Sequence, residues 1–128
     1  MKKLNLEAAK KMLEAAKREA AANDWPVVIA VVDDGGHLLC LERMDDAQFG
    51  SIDIAIAKAK SAIAFKRPTV EWAQRIADGR LGILSLSGMI PVEGGVPIVQ
   101  NGEMVGAIGV SGVTSIQDGQ IAAAGIAA

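Results

Sequence analysis

The sequence predicts an α+β fold, an antiparallel sheet with helices packed on it, from three observations. Segment periodicity runs in the order helix, two strands, two helices, strands, helix. Within Gly94 to Gly112, Asn101-Gly102 separates two arms rich in β-branched residues, and that dipeptide accepts positive φ at both central positions of a two-residue hairpin turn. Aromatic residues are only 3% of the chain and Tyr is absent, so the core must be closely packed Ala, Ile, Val and Gly. At 128 residues the chain reads as one domain, residues 1–128. A chain of that length buries roughly two-thirds of its unfolded surface.

The elements follow in order. Asn5 caps a helix running to about Ala22, with Leu6, Ala9, Leu13, Ala16 and Ala20 forming its apolar stripe. Lys10, Lys17 and Arg18 lie off that stripe, as a solvated basic face would. Pro26 prevents the helix from resuming after Asn23-Asp24. Val27 to Val32 is a continuous apolar run, expected as a strand buried on both faces. Asp33-Asp34-Gly35-Gly36 is turn chemistry, and His37 to Arg43 returns as the second strand of a hairpin. Ser51 is placed to cap a helix reaching about Phe65. Arg67-Pro68-Thr69 starts another, with Pro in its first turn and Gly79 ending it. Leu81 to Val92 is expected to be irregular, with Pro91-Val92-Glu93 starting a short strand. After the central hairpin, Ser115-Ile116-Gln117-Asp118 matches a serine-x-x-acid cap before an Ala-rich terminal helix.

The helix from Ser51 carries the most functional information. Ile52, Ile56, Ala59 and Ile63, widened by Ala55 and Ala62, share the face expected on the sheet. Another side presents Ile54, Lys58, Ser61 and Phe65 at i, i+4, i+7 and i+11. Leaving either large apolar group in water forgoes about 1.5–3 kcal/mol. That side is therefore expected to meet a subunit, another part of the chain, or a ligand. An apolar wall with one cation suits a small carboxylate; the same face also suits a subunit contact with Lys58 paired to an acid. Gly106, Gly109 and Gly112 in the hairpin's second arm imply close approach by a backbone, a helix or a ligand.

Composition removes several classes of function. A net charge of −2 gives no electrostatic case for nucleic acid. One cysteine, Cys40, excludes an intramolecular disulfide and a cysteine-cluster metal site; it reads as a buried strand thiol. No apolar run is long enough to span a bilayer, and charges at Lys10, Lys11, Glu14 and Lys17 interrupt any signal core, so a soluble cytoplasmic protein is expected. There is no phosphate loop, no dinucleotide fingerprint, no nucleophile elbow and no dense metal-ligand set. His37 is the single histidine, able to ligate or to titrate near neutral pH, and equally at home as a surface residue beside a turn. Acid–base chemistry, if present, must come from Lys, Asp and Glu, with Lys58, Asp45 and Asp46 the candidates and Arg43 or Lys58 stabilising an anion.

Three blocks, VVIAVVDDGGHLLCLERMDDA, GSIDIAIAKAKSAIAFKRPT and GGVPIVQNGEMVGAIGVSGVTSIQD, resemble the GlcG/HbpS-like family, which includes PduO C-terminal domains. With the N-terminal helix the likeness covers nearly the whole chain. It implies a profilin-like fold with a five-stranded antiparallel sheet flanked by helices. It implies homo-oligomers, from tetramer to octamer. It also implies heme binding in some members, with links to heme degradation or redox sensing, and association with catabolic pathways in others. Lys58, Ser61, Arg67, Pro68 and Thr69 match the family pattern, and Thr69 is the match for a threonine implicated in heme contact. The histidine that ligates heme in PduO-type domains lies in the N-terminal helix, where this chain has none. Nearby iron-ligand types are His37, Cys40 and Met44.

The leading expectation is an oligomeric binding protein for heme or a small organic acid. Its ligand would rest on Ile54, Lys58, Ser61 and Phe65, with Arg43, Thr69 and the Gly94-Gly95 amides closing the site. A small catabolic enzyme using Lys58 with Asp45 or Asp46, and an assembly module without ligand, are the alternatives.

Overall fold

A computed structural model describes residues 3–128; residues 1 and 2, the start of the charged N-terminal stretch, lie outside the described residues. Helix α1 (Leu6–Ala22) begins where Asn5 Oδ1 accepts a hydrogen bond from Ala8 N at 2.8 Å, in extended backbone. Strands β1 (Val28–Asp33) and β2 (Leu38–Arg43) form the first hairpin. Helices α2 (Gly50–Ala64) and α3 (Val70–Ala77) follow, then a 3-10 turn over Leu81–Ser85. Strands β3 (Gly95–Gln100) and β4 (Glu103–Ser111) and helix α4 (Ser115–Ile126) complete the chain.

The sheet is antiparallel with spatial order β2-β1-β4-β3. β1 therefore lies inside it, and Val27 through Val32 are fully buried. Successive side chains alternate between two cores. Val27, Ile29 and Val31 join Ala9, Leu13 and Ala16 of α1 and Ile121 and Ala122 of α4. Val28, Ala30 and Val32 meet Ala55, Ala59 and Ala62 of α2 on the opposite face. This explains the unbroken apolar run: neither face of β1 reaches water. On α1 the stripe is as expected except that Leu6 is exposed, with Leu4 buried just before the helix, and that Met12 joins the core.

Asn101 (φ 52°) and Gly102 (φ 80°) both adopt left-handed backbone, as the two-residue turn between β3 and β4 requires. In the first hairpin, Asp33 Oδ1 accepts from Gly35 N and His37 N, each at 2.9 Å. The bond from the His37 amide, reinforced by that from Gly35, holds this carboxyl below its ordinary pKa. A depressed folded-state pKa stabilises above the unfolded value and loses that contribution as pH falls through the folded value. Asp33→Ala is therefore expected to cost about 1 kcal/mol at neutral pH and to flatten the acid limb of stability against pH. Urea unfolding from pH 7 to pH 3 reads both; a variant with an unchanged acid limb contradicts the assignment.

Several boundaries differ from expectation. The sheet has four strands among the described residues, not five. Pro91-Val92-Glu93 joins no ladder: Pro91 has no N–H to give, and Gly94 at φ 135° turns the chain sharply before β3. Ser51 does not cap α2. It lies inside the first turn, fully buried, with its Oγ accepting from Gln48 Nε2 at 3.0 Å and from Ser111 Oγ at 3.1 Å. The α4 cap is Thr114, whose reciprocal box with Gln117 sits one residue before the expected Ser115 and Asp118 pair. Cys40 is half-buried in β2 rather than enclosed.

Candidate functional site

The glycines of β3 and β4 determine how α2 sits. A Cβ at Gly109 would run into the carbonyl of Ala55 and the amide of Ala59, and one at Gly95 into the carbonyl of Lys58. A Cβ at Gly94 would lie 2.6 Å from Val110 O and 2.8 Å from Lys58 Nζ. Helix backbone thus rests directly on strand backbone at Gly109, whereas the close approach at Gly106 is made by Val32 O of β1 and that at Gly112 by the Pro26-Val27 backbone. The face of α2 toward the sheet carries Ala55, Ala59, Ala62 and Ile63 as expected, joined by Ser51 and Lys58, while Ile52 and Ile56 are half-buried against Val28 and Ala30 at its flank. Directly over Gly109, where the backbones approach most closely, alanine is the residue the short separation admits.

This packing carries Lys58 inward. Its side chain is 1% exposed, and Nζ donates to Val110 O at 2.8 Å and to Asp118 Oδ2 at 3.0 Å. Asp118 Oδ1 accepts from Val113 N at 3.2 Å, so the carboxylate also ties the chain entering α4. Burial pushes the Asp118 carboxyl above its ordinary pKa, with the Lys58 ammonium acting in the opposite direction. Beside this pair, Thr69 Oγ1 accepts from Gly95 N at 2.9 Å instead of capping α3. Ser61 Oγ accepts from Ile90 N at 3.1 Å and anchors the irregular segment before β3.

The expected ligand residues accordingly separate. Lys58, Thr69, Gly94 and Gly95 come together, but as interior contacts, with the Lys58 ammonium committed to Asp118, and Ser61 is buried separately against Ile90. Ile54 is 43% exposed, and Phe65 is half-buried, edge-on to Trp72 at 5.5 Å between ring centroids. Arg43, Asp45 and Asp46 are exposed around the end of β2, lining a groove that Lys58 does not reach. The pairing of Lys58 with Asp45 or Asp46 is thus corrected to Lys58 with Asp118. Asp118 was concealed by the false cap pattern; reading Thr114 and Gln117 as the capping box would have released it for another role.

An open groove lies elsewhere, along α1. It has a volume of about 710 Å³ and is lined by Leu6, Glu7, Lys10, Lys11, Glu14, Arg18 and Ala128. Exposed Leu6 supplies apolar surface, and Lys10, Lys11 and Arg18 supply cations. Lys17 is outside the groove and bridges Glu14 at 2.9 Å and Glu42 at 2.8 Å. Part of the basic side read as merely solvated thus borders a ligand-sized groove.

The donor types for heme iron do not assemble. The His37 side chain is 82% exposed, its Nδ1 lying 3.3 Å from Asp33 Oδ1. Cys40 is half-buried with its thiol pushed up by burial, and Met44 is half-buried beyond β2. None of the three borders the α1 groove. Among the described residues, no group of three or more His, Cys, Asp or Glu is placed to hold a metal ion. The groove offers one large apolar side chain, Leu6, and the cations of Lys10, Lys11 and Arg18 interspersed with Glu7 and Glu14, and it holds no residue of a heme-iron ligand type.

Fold and site define a small α+β domain whose antiparallel sheet lies between helices, with an enclosed ion pair and an open groove on its first helix. The chain belongs to the HbpS-like family: the family model described as haem degrading protein HbpS-like matches residues 4–127. It is 41% identical over 108 residues to protein GlcG of Escherichia coli, across 84% of this chain and 81% of that protein. The crystal structure of a double mutant of Streptomyces reticuli HbpS is similar at TM-score 0.90 and 37% identity, covering 99% of this chain and 87% of that one. The crystal structure of a PduOC:heme complex is similar at TM-score 0.88 and 29% identity, covering 98% and 94%. No described helix is long and apolar enough to cross a membrane.

Proposed function

We propose that this chain is a cytoplasmic, homo-oligomeric binding protein for heme or a small organic acid, accessory to a catabolic pathway. The observation that carries the reading is the α1 groove, about 710 Å³, where Leu6 shares the lining with Lys10, Lys11 and Arg18, whose three cations outnumber the carboxylates of Glu7 and Glu14. Its size lies in the range of small-molecule sites, and its cations suit carboxylates beside an apolar body. The solved PduOC:heme complex and the HbpS relatives support heme as the first ligand to test. In this reading heme is held by its propionates and its porphyrin face rather than by an iron ligand from the groove. The exposed side chains of Phe49, Ile54 and Ile116 support assembly, because apolar groups of that size are expected to be covered.

Titrating heme while following Soret absorbance and tryptophan quenching tests the proposal. Saturation at micromolar heme is expected, with affinity falling about tenfold when Lys10 and Arg18 are both changed to Glu, a loss of about 1.4 kcal/mol. Absence of a saturable change, or equal affinity in the charge-reversed variant, removes heme from this groove. Elution volume with light scattering measures the subunit number, for which tetramer to octamer is the proposal.

A further inference from the structure

We propose that Trp72, Arg67 and Arg75 form a second binding site, for a small organic anion with an apolar body, of which an aromatic carboxylate is the simplest form. The guanidinium carbon of Arg67 lies over the Trp72 ring at 4.8 Å from its centroid, and that of Arg75 at 5.3 Å. Two like charges on one indole repel each other, and the ring quadrupole offsets only part of that. A carboxylate would normally complete such an arrangement. Yet neither arginine forms an ion pair among the described residues, although α3 also carries Glu71 and continues into Asp78. The polar contact recorded for Arg67 is Nε donating to Phe65 O at 3.0 Å, which leaves its terminal nitrogens for an outside acceptor.

A second observation points to the same place. Trp72 is 6% exposed, and its Nε1 is the one buried side-chain nitrogen or oxygen left without a hydrogen-bond partner among the described residues. Buried donors are nearly always satisfied, so an orphan beside two free cations marks a missing acceptor. A carboxylate supplies acceptors for both guanidiniums and for the indole N–H.

The surroundings provide for the rest of the molecule. Trp72, Ile83 and Met89, with Phe65 and Ile76, form a small cluster apart from the main cores. Its cover comes from the segment between α3 and β3, which belongs to no sheet and is anchored at Ile90 N to Ser61 Oγ. The same segment exposes Leu81, Leu84 and Leu86 beside the cluster. An aromatic or branched aliphatic body bound there would cover these leucines while its acid group reaches the arginines. The site shares no residue with the α1 groove and stands independently of it.

The test uses benzoate as probe. Trp25→Phe leaves Trp72 as the only indole reporter. Sodium benzoate is expected to change its fluorescence saturably, where sodium chloride at equal ionic strength does not. Calorimetry should show affinity reduced at least tenfold in Arg75→Gln, largely retained in Arg75→Lys, and reduced in Trp72→Phe, which keeps a ring but removes the N–H. Equal response to chloride, or unchanged affinity in Arg75→Gln, overturns the proposal. So does a signal that follows protein concentration instead of benzoate, which would make the patch a subunit contact. Arg75→Gln is expected to leave heme titration at the α1 groove unchanged, so the two readings fail separately.

Discussion

Replacing Asp118 by alanine is expected to destabilise the protein by about 3–5 kcal/mol, because it leaves the Lys58 ammonium charged and unpaired inside the fold. The ammonium is 1% exposed and would keep only the Val110 carbonyl as partner. Against a total stability of about 5–15 kcal/mol, that loss moves the chain close to unfolding at ambient temperature. Lys58→Met should be comparably costly, since it strands the carboxylate and Val110 O together. The double variant, Lys58→Met with Asp118→Leu, should recover much of the loss, because no buried charge remains. It should still fall about 1–3 kcal/mol short of the parent, since Val110 O and Val113 N lose their partners. Urea unfolding of the four proteins at one fixed concentration completes the cycle, and fixed concentration matters for any oligomer. Simple additivity of the two single losses would show that the pair is not energetically coupled in the way its geometry requires.

Gly109→Ala is expected to rank second, costing about 3 kcal/mol or more, at the upper end of overpacking penalties. The added methyl would meet the backbone of Ala55 and Ala59, and backbone in mid-helix cannot swing aside as a flexible side chain can. Relief requires lifting α2 from β4, which also separates Lys58 from Val110 and Asp118. Gly82→Ala is the matched control, since nothing lies within 4 Å of a Cβ built there. Equal stability of the two variants would contradict the helix-on-strand contact.

Much of the fold is legible locally. The Asn5 cap, the Asn101-Gly102 turn and the double-sided burial of Val27 to Val32 follow from short-range chemistry: a side-chain acceptor, positive φ and unbroken apolarity. The family follows from the three sequence blocks. The candidate site was less legible. On a helical wheel, Lys58 and Ser61 share a side with Ile54 and Phe65, and the wheel does not show how far around the cylinder the core extends. In the fold, Asp118 in the first turn of α4 and the Gly94-Gly95 backbone enclose Lys58, and the segment before β3 covers Ser61, while Ile54 stays exposed. The groove on α1 was hidden because charged residues on a helix read as solvent contacts, and nothing local places Ala128 beside them. Pro91-Val92-Glu93 joins no strand because Pro91 has no N–H to give and Gly94 at φ 135° turns the chain before β3.

By itself, then, the sequence determined the class of fold, the order of its elements, the tight turns and the kinship, since each depends on backbone preference or apolar periodicity within a few residues. Tertiary structure alone decided that Lys58 finds Asp118, sixty residues away, and that Trp72 gathers two arginines without an acid. Partnership between distant charges is a matter of three-dimensional proximity and desolvation, and neither quantity is encoded in any local stretch of chain.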